Sequence, residues 1–96
     1  MNLSSLSGMQ AGSLLLAAAA DNTANLDTPD YHAKRVDLAT APGGGVTASV
    51  SRAGQPGVDL VEQMTNLVTA SVTYQANARV LRTAMDTERS LLNLFA

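Results

Sequence analysis

The chain has 96 residues, no Cys, 46% hydrophobic but only 3% aromatic residues, and a formal net charge of -2. That length fits one domain, here 1–96, with a thin core. The absence of a basic stripe argues against nucleic acid or an anionic membrane as partner, and the absence of Cys excludes disulfide and thiolate chemistry. Much of the apolar content is Ala, which buries little area at roughly 25 cal/mol per Å². Such a chain is expected to complete its core against partners.

Residues 3–26 read as a helix. Leu6, Met9, Leu16, Ala20 and Ala24 fall on one helical face, and Gln10, Asn22 and Asn25 fall elsewhere. Gly8 and Gly12 weaken the start, since each costs about 1 kcal/mol against Ala in a helix. The run "LLLAAAA" (14–20) resembles the apolar part of a secretory signal. The thirteen residues before it hold no Lys or Arg, so a cleaved signal is not expected, and the run is too short to span a bilayer.

Residues 27–57 are the non-helical middle. "DTPD" is a turn signature, in which Pro29 fixes its own φ and drives Thr28 out of the helical region. "RVDLAT" and "VTASVSR" alternate apolar and polar residues around "APGGG", which predicts a β-hairpin turned at 42–45. "RAGQPG" then leads into a second helix.

Residues 58–94 carry the strongest pattern. Leu60, Met64, Leu67, Ser71, Tyr74, Ala78, Leu81, Met85, Glu88, Leu92 and Phe95 alternate spacings of four and three. No Gly or Pro interrupts the span, so one helix of roughly 55 Å is expected, at 1.5 Å per residue. Its stripe must meet the first helix or another chain. Leu60, Met64, Leu67, Tyr74, Ala78, Leu81, Met85 and Leu92 are the expected helix-packing interface. The predicted fold is all-α dominated: an N-terminal helix paired with a long heptad helix in a coiled-coil-like hairpin, with a short β-hairpin between them.

No catalytic, metal or cofactor site emerges. Asp21, Thr23, Asn25 and Asp27 have the spacing of early calcium-loop ligands, but Leu26 replaces the required Gly and His32 the bidentate Glu. His32 is the sole histidine, so the usual zinc ligands are lacking, and it reads as a solvated loop residue. "PGGG" lacks the Lys-Ser/Thr of a phosphate loop. The Asn2-Leu3-Ser4 triplet matches a glycosylation acceptor only at the level of chance. Neither an enzyme, nor a cofactor, nor a small-molecule substrate is expected.

Two segments nevertheless match one family. "DNTANLDTPDYHAKR" resembles the signature "NNIANxNTPGYKA" of bacterial flagellar rod and hook proteins, at Asn22, Ala24, Asn25, Thr28, Pro29, Tyr31 and Ala33. "VDLVEQMTNLVTASVTYQANARVLRTAMDTERSLLNL" is similar to that family's terminal pattern "VDxVxEMxxLIxAxRxYxANxxVxxTAxxMxxxLLxL", through Tyr74, Ala76 and Asn77 among others. The family's Gly after Pro is Asp30 here, and its Arg two residues before Tyr is Val72. The resemblance implies a structural subunit of the basal body rod, most similar to a minimal proximal-rod type. It would be exported by the flagellar type III apparatus from the cytoplasm to the periplasmic rod, and packed through its terminal helices against itself or other rod proteins. The alternative is a small helical adaptor or export accessory derived from the same family.

Overall fold

The computed structural model describes residues 3–95. It contains α1 (Leu3–Ala24), β1 (Lys34–Thr40), β2 (Val46–Arg52) and α2 (Leu60–Phe95), in a body measuring 62 × 24 × 14 Å. Two helices with an antiparallel hairpin between them are the architecture the sequence predicts.

Local chemistry sets each boundary. α1 stops two residues earlier than its pattern suggests, because Asn25 and Thr28 take over its last carbonyls. Asn25 N–H donates to Asp21 O and Asn22 O at 3.1 and 3.2 Å, and its side-chain Nδ2 donates to Asp21 O at 2.8 Å. Thr28 N–H then donates to Asn25 O, and Pro29 turns the chain away. At the other boundary Asp59 stands just outside α2. Its Oδ1 accepts from Val61 N–H at 3.0 Å and Glu62 N–H at 3.3 Å, which is the action of an N-cap.

The hairpin pairs Lys34 with Arg52 at its base and Thr40 with Val46 at its tip. Val36, Leu38, Val46, Ala48 and Val50 therefore share one face. At the tip Gly43, Gly44 and Gly45 all have positive φ, which only glycine adopts in succession without strain. Gly45 also lies against α1, where a Cβ would sit 2.8 Å from Ser7 Oγ. That hydroxyl accepts from Val46 N–H at 3.0 Å and donates to Ser4 O at 2.8 Å, pinning the hairpin tip to the start of α1.

The helices run antiparallel, with Asn22 beside Gln63, Gly12 beside Ala70 and Tyr74, and Gly8 beside Asn77. Their contact is made of small and polar residues. Ser5, Gly8, Gly12, Ala19 and Asn22 face α2 at heptad-like spacing, and Gln63, Ala70 and Asn77 answer at intervals of seven. Among the described residues the buried hydrophobic set is Ala11, Ala18, Ala19 and Ala70, with Ala70 fully covered.

This corrects the expected register of the seam. The stripe read from large apolar residues is not what packs between the two helices. Leu60, Met64, Tyr74, Met85 and Leu92 are exposed, while Leu67, Ala78 and Leu81 are half-buried along one edge of the seam. On α1, Leu6, Leu16, Ala20 and Ala24 are likewise exposed. The physical reason is distance: glycine and alanine allow backbones to approach closely, and bulky residues at the same positions would hold them apart. Gly8 and Gly12 are thus contact points and not weak links. Asn2 of the acceptor triplet lies outside the described residues.

Candidate functional site

The motif at the end of α1 is a polar knot with Asn22 at its centre, only 1% exposed. Its Nδ2 donates to Lys34 O at 2.9 Å and to Gln63 Oε1 at 3.0 Å. Its Oδ1 accepts from Lys34 N–H at 2.8 Å and from the Tyr31 hydroxyl at 3.1 Å. One side chain thereby ties α1, the turn, β1 and α2, and both its donors and its acceptor are satisfied. Gln63 occupies the position at which the terminal pattern quoted above carries Glu.

The remaining motif residues shape the turn. Thr28 Oγ1 donates to Asn25 Oδ1 at 3.1 Å, and Tyr31 N–H reaches Thr28 O at 3.4 Å across Pro29 and Asp30. Asp30 has φ 58°, the left-handed conformation required at the third position of a type II turn after Pro. Asp30→Gly is expected to raise stability by about 0.5–1 kcal/mol, because glycine takes that conformation without a Cβ penalty. A thermal melt of both proteins checks the sign.

Tyr31 also receives Arg52, whose guanidinium carbon lies 5.5 Å from the ring centroid. Arg52 Nη1 donates to His32 O at 3.0 Å. His32 is not a solvated loop residue: it is half-buried, and its Nδ1 lies 2.7 Å from Ala53 O, a contact in which the ring N–H donates. Lys34 pairs with Asp21 at 2.6 Å, a part-exposed bridge of small energetic weight. Ala24, Pro29 and Ala76 are exposed, and Asn77 Nδ2 donates to Thr73 O at 2.8 Å while its amide fills the space above Gly8.

The stripe residues form the second part of the site. The hairpin covers one flank of the helix pair. On that flank lie Ser7, Ala11, Leu14 and Ala18 of α1 and Glu62, Gln63 and Asn66 of α2. At 100° per residue, Leu60, Met64, Leu67, Ala78 and Met85 project from α2 on the opposite flank, with Tyr74 at the seam edge. Leu6, Met9, Leu16 and Ala20 project from α1 on that same flank. They make one continuous two-helix surface turned away from the hairpin. It is nearly free of charge: α1 has no charged residue before Asp21, and α2 has none between Glu62 and Arg79. Val61, Val68 and Val72 extend the apolar area around the back of α2, each at least 60% exposed. A monomer rarely leaves so large an apolar area uncovered.

The stripe of large apolar residues is legible in the sequence, and the seam is not. Its trace was present as the intervals of seven joining Gln63, Ala70 and Asn77, but two of those three residues are polar and none is bulky. Among the described residues no group of three His, Asp or Glu side chains is placed to hold a metal ion, and no helix is long and apolar enough to cross a membrane.

The fold is a helical hairpin with an alanine core and an uncovered apolar flank. Residues 54–94, which span α2 and the loop entering it, match the family described as "Flagellar basal body rod FlgEFG protein C-terminal". Over this segment the chain is similar to the flagellar rod family. That family's description places its members in the rod of the flagellar basal body. No curated protein gives a significant match to the chain.

Proposed function

We propose that the chain is a structural subunit of the flagellar basal body rod, without catalytic activity, which assembles by packing the free flank of its helix pair against neighbouring subunits. The observation that carries this reading is the inversion of the usual burial pattern. Alanines and a knot of amides fill the inside, while Leu6, Leu16, Leu60, Met64, Tyr74 and Met85 stand outside. Each large side chain covered on assembly contributes about 1.5–3 kcal/mol when fully buried, which supplies what the thin monomer core lacks. The match of residues 54–94 to the rod family suggests the biological setting. Export by the flagellar type III apparatus and residence in the periplasmic rod belong to the same proposal.

Leu16→Asp and Met64→Asp test it. Both residues are exposed, so the monomer should retain its helix content, whereas a carboxylate facing an apolar neighbour is left desolvated and unpaired. The expected result in sedimentation velocity is a wild-type chain that gains mass with concentration and variants that remain monomeric with unchanged circular dichroism. Variants that assemble like wild type would remove this flank from the interface.

A further inference from the structure

We infer that the free end of α2 in one copy packs along the free flank of the helix pair in a second copy, where Leu16, Ala20, Leu60 and Met64 stand exposed. The inference rests on the assembly reading above and adds what covers the flank. α2 outruns its partner helix. Asn22 lies beside Gln63 and Gly8 beside Asn77, so the antiparallel alignment sets Leu3, at the start of α1, beside Arg82. Residues 85–95 reach past that point and are all exposed. At 1.5 Å per residue this end is roughly 16 Å long.

The seam continues along it. Ala84 and Leu91 extend the interval of seven that joins Gln63, Ala70 and Asn77 on the face toward α1. At 100° per residue, Leu91 and Phe95 lie within about 20° of Ala84, with Met85, Leu92 and Leu94 on either side. Arg82, Asp86 and Arg89 fall on the opposite side, and Glu88, about 40° from Ala84, is the one charged residue within the arc. Leu91 is 52% exposed and Phe95 87%, so the face that meets α1 lower down is here apolar, bulky and uncovered. An amphipathic stripe that runs on past its partner calls for a second helix on the same side.

The second half of α1 presents a surface that fits. Ser13, Leu16, Ala17, Ala20 and Ala24 are exposed there, with Leu60 and Met64 of α2 on the same flank. α1 carries no charge before Asp21, and its small residues leave room for side chains the size of Leu91 and Phe95. This surface lies beside the start of α2, roughly 40 Å from Leu91 along an unbroken helix, so a chain cannot cover its own. Both halves of the contact are present on this one chain, which selects a second copy as the occupant. The surface area agrees with one such contact at each end. The chain exposes 6600 Å², whereas a compact monomer of 9.9 kDa exposes roughly 5,200 Å². The excess of roughly 1,400 Å² is close to two patches of about 800 Å², one given and one received per copy. The two patches differ, so the contact repeats without closing.

Leu91→Asp and Leu16→Asp, each in the full chain, test this by complementation in sedimentation velocity. Each variant keeps one of the two surfaces, so each alone is expected to stay monomeric with unchanged circular dichroism. They are then mixed 1:1 at concentrations where wild type gains mass. The expected product has twice the monomer mass and nothing larger forms, because the intact end of the Leu16→Asp chain meets the intact flank of the Leu91→Asp chain. A mixture that stays monomeric would overturn the pairing of end with flank. Leu91→Asp assembling like wild type would also overturn it, and both results leave the flank itself in the interface. Leu16→Asp assembling like wild type would instead remove the flank, and the assembly reading with it. Wild type that stays monomeric, yet is retained in basal bodies, would overturn the second copy as partner and leave the rod reading standing.

Discussion

Gly12→Val is expected to destabilise the folded chain by about 3 kcal/mol, the upper part of the range for an overpacked contact. An exposed helical glycine responds in the opposite sense, since a residue with a side chain improves helix propensity. At Gly12 a Cβ would already lie 3.2 Å from both Ala70 O and Tyr74 N, and these are backbone atoms that cannot rotate away. The two γ-methyls of valine would force α1 and α2 apart. Separation here is transmitted along the seam, because the alanines on either side make contact only at close approach. Chemical denaturation followed by circular dichroism checks the loss. A more stable variant would mean that the seam is not closely packed at this point.

Asn22→Ala is expected to cost about 3 kcal/mol or more, since unsatisfied buried polar groups cost about 1–3 kcal/mol each. Removing the amide takes partners from Lys34 N–H, Lys34 O, the Tyr31 hydroxyl and Gln63 Oε1 at once. Asn22→Asp separates the two roles of the amide. Its carboxylate can still accept from Tyr31 and Lys34, but its second oxygen faces the carbonyl of Lys34. Burial and that repulsion favour the protonated form in the folded state, so the contribution is recovered at low pH and lost as pH rises. The deficit of Asn22→Asp relative to wild type should therefore narrow on acidification, while that of Asn22→Ala should not. Equal pH profiles for the two variants would show that the donors of Asn22 carry little weight.

The turn, the hairpin and the two helices were legible in the residues themselves. Pro29, the "PGGG" run and the unbroken span from Leu60 to Phe95 each act through local geometry, so their effects can be read without knowing what packs where. The register of the seam was not legible. Hydrophobic periodicity assumes that the largest apolar residues define the core, and here Leu60, Met64 and Leu16 face outward while Gly12, Ala70 and Asn22 face inward. Asn22 was recognisable as part of a family motif, but its burial depends on Lys34 and Gln63, which lie 12 and 41 residues away. The glycines carried the opposite meaning from their local one. In an isolated helix they are costs, and between two helices they set the distance.

As a proposed component of the rod, the chain should be found in the basal body itself. Basal bodies purified from cells producing a tagged chain, washed with salt and detergent and quantified by mass spectrometry, test it most directly. The expected result is a chain retained in fixed ratio to other rod proteins and lost when Leu16 or Met64 is replaced by Asp. A chain recovered only in the soluble fraction, with basal bodies intact, would contradict it.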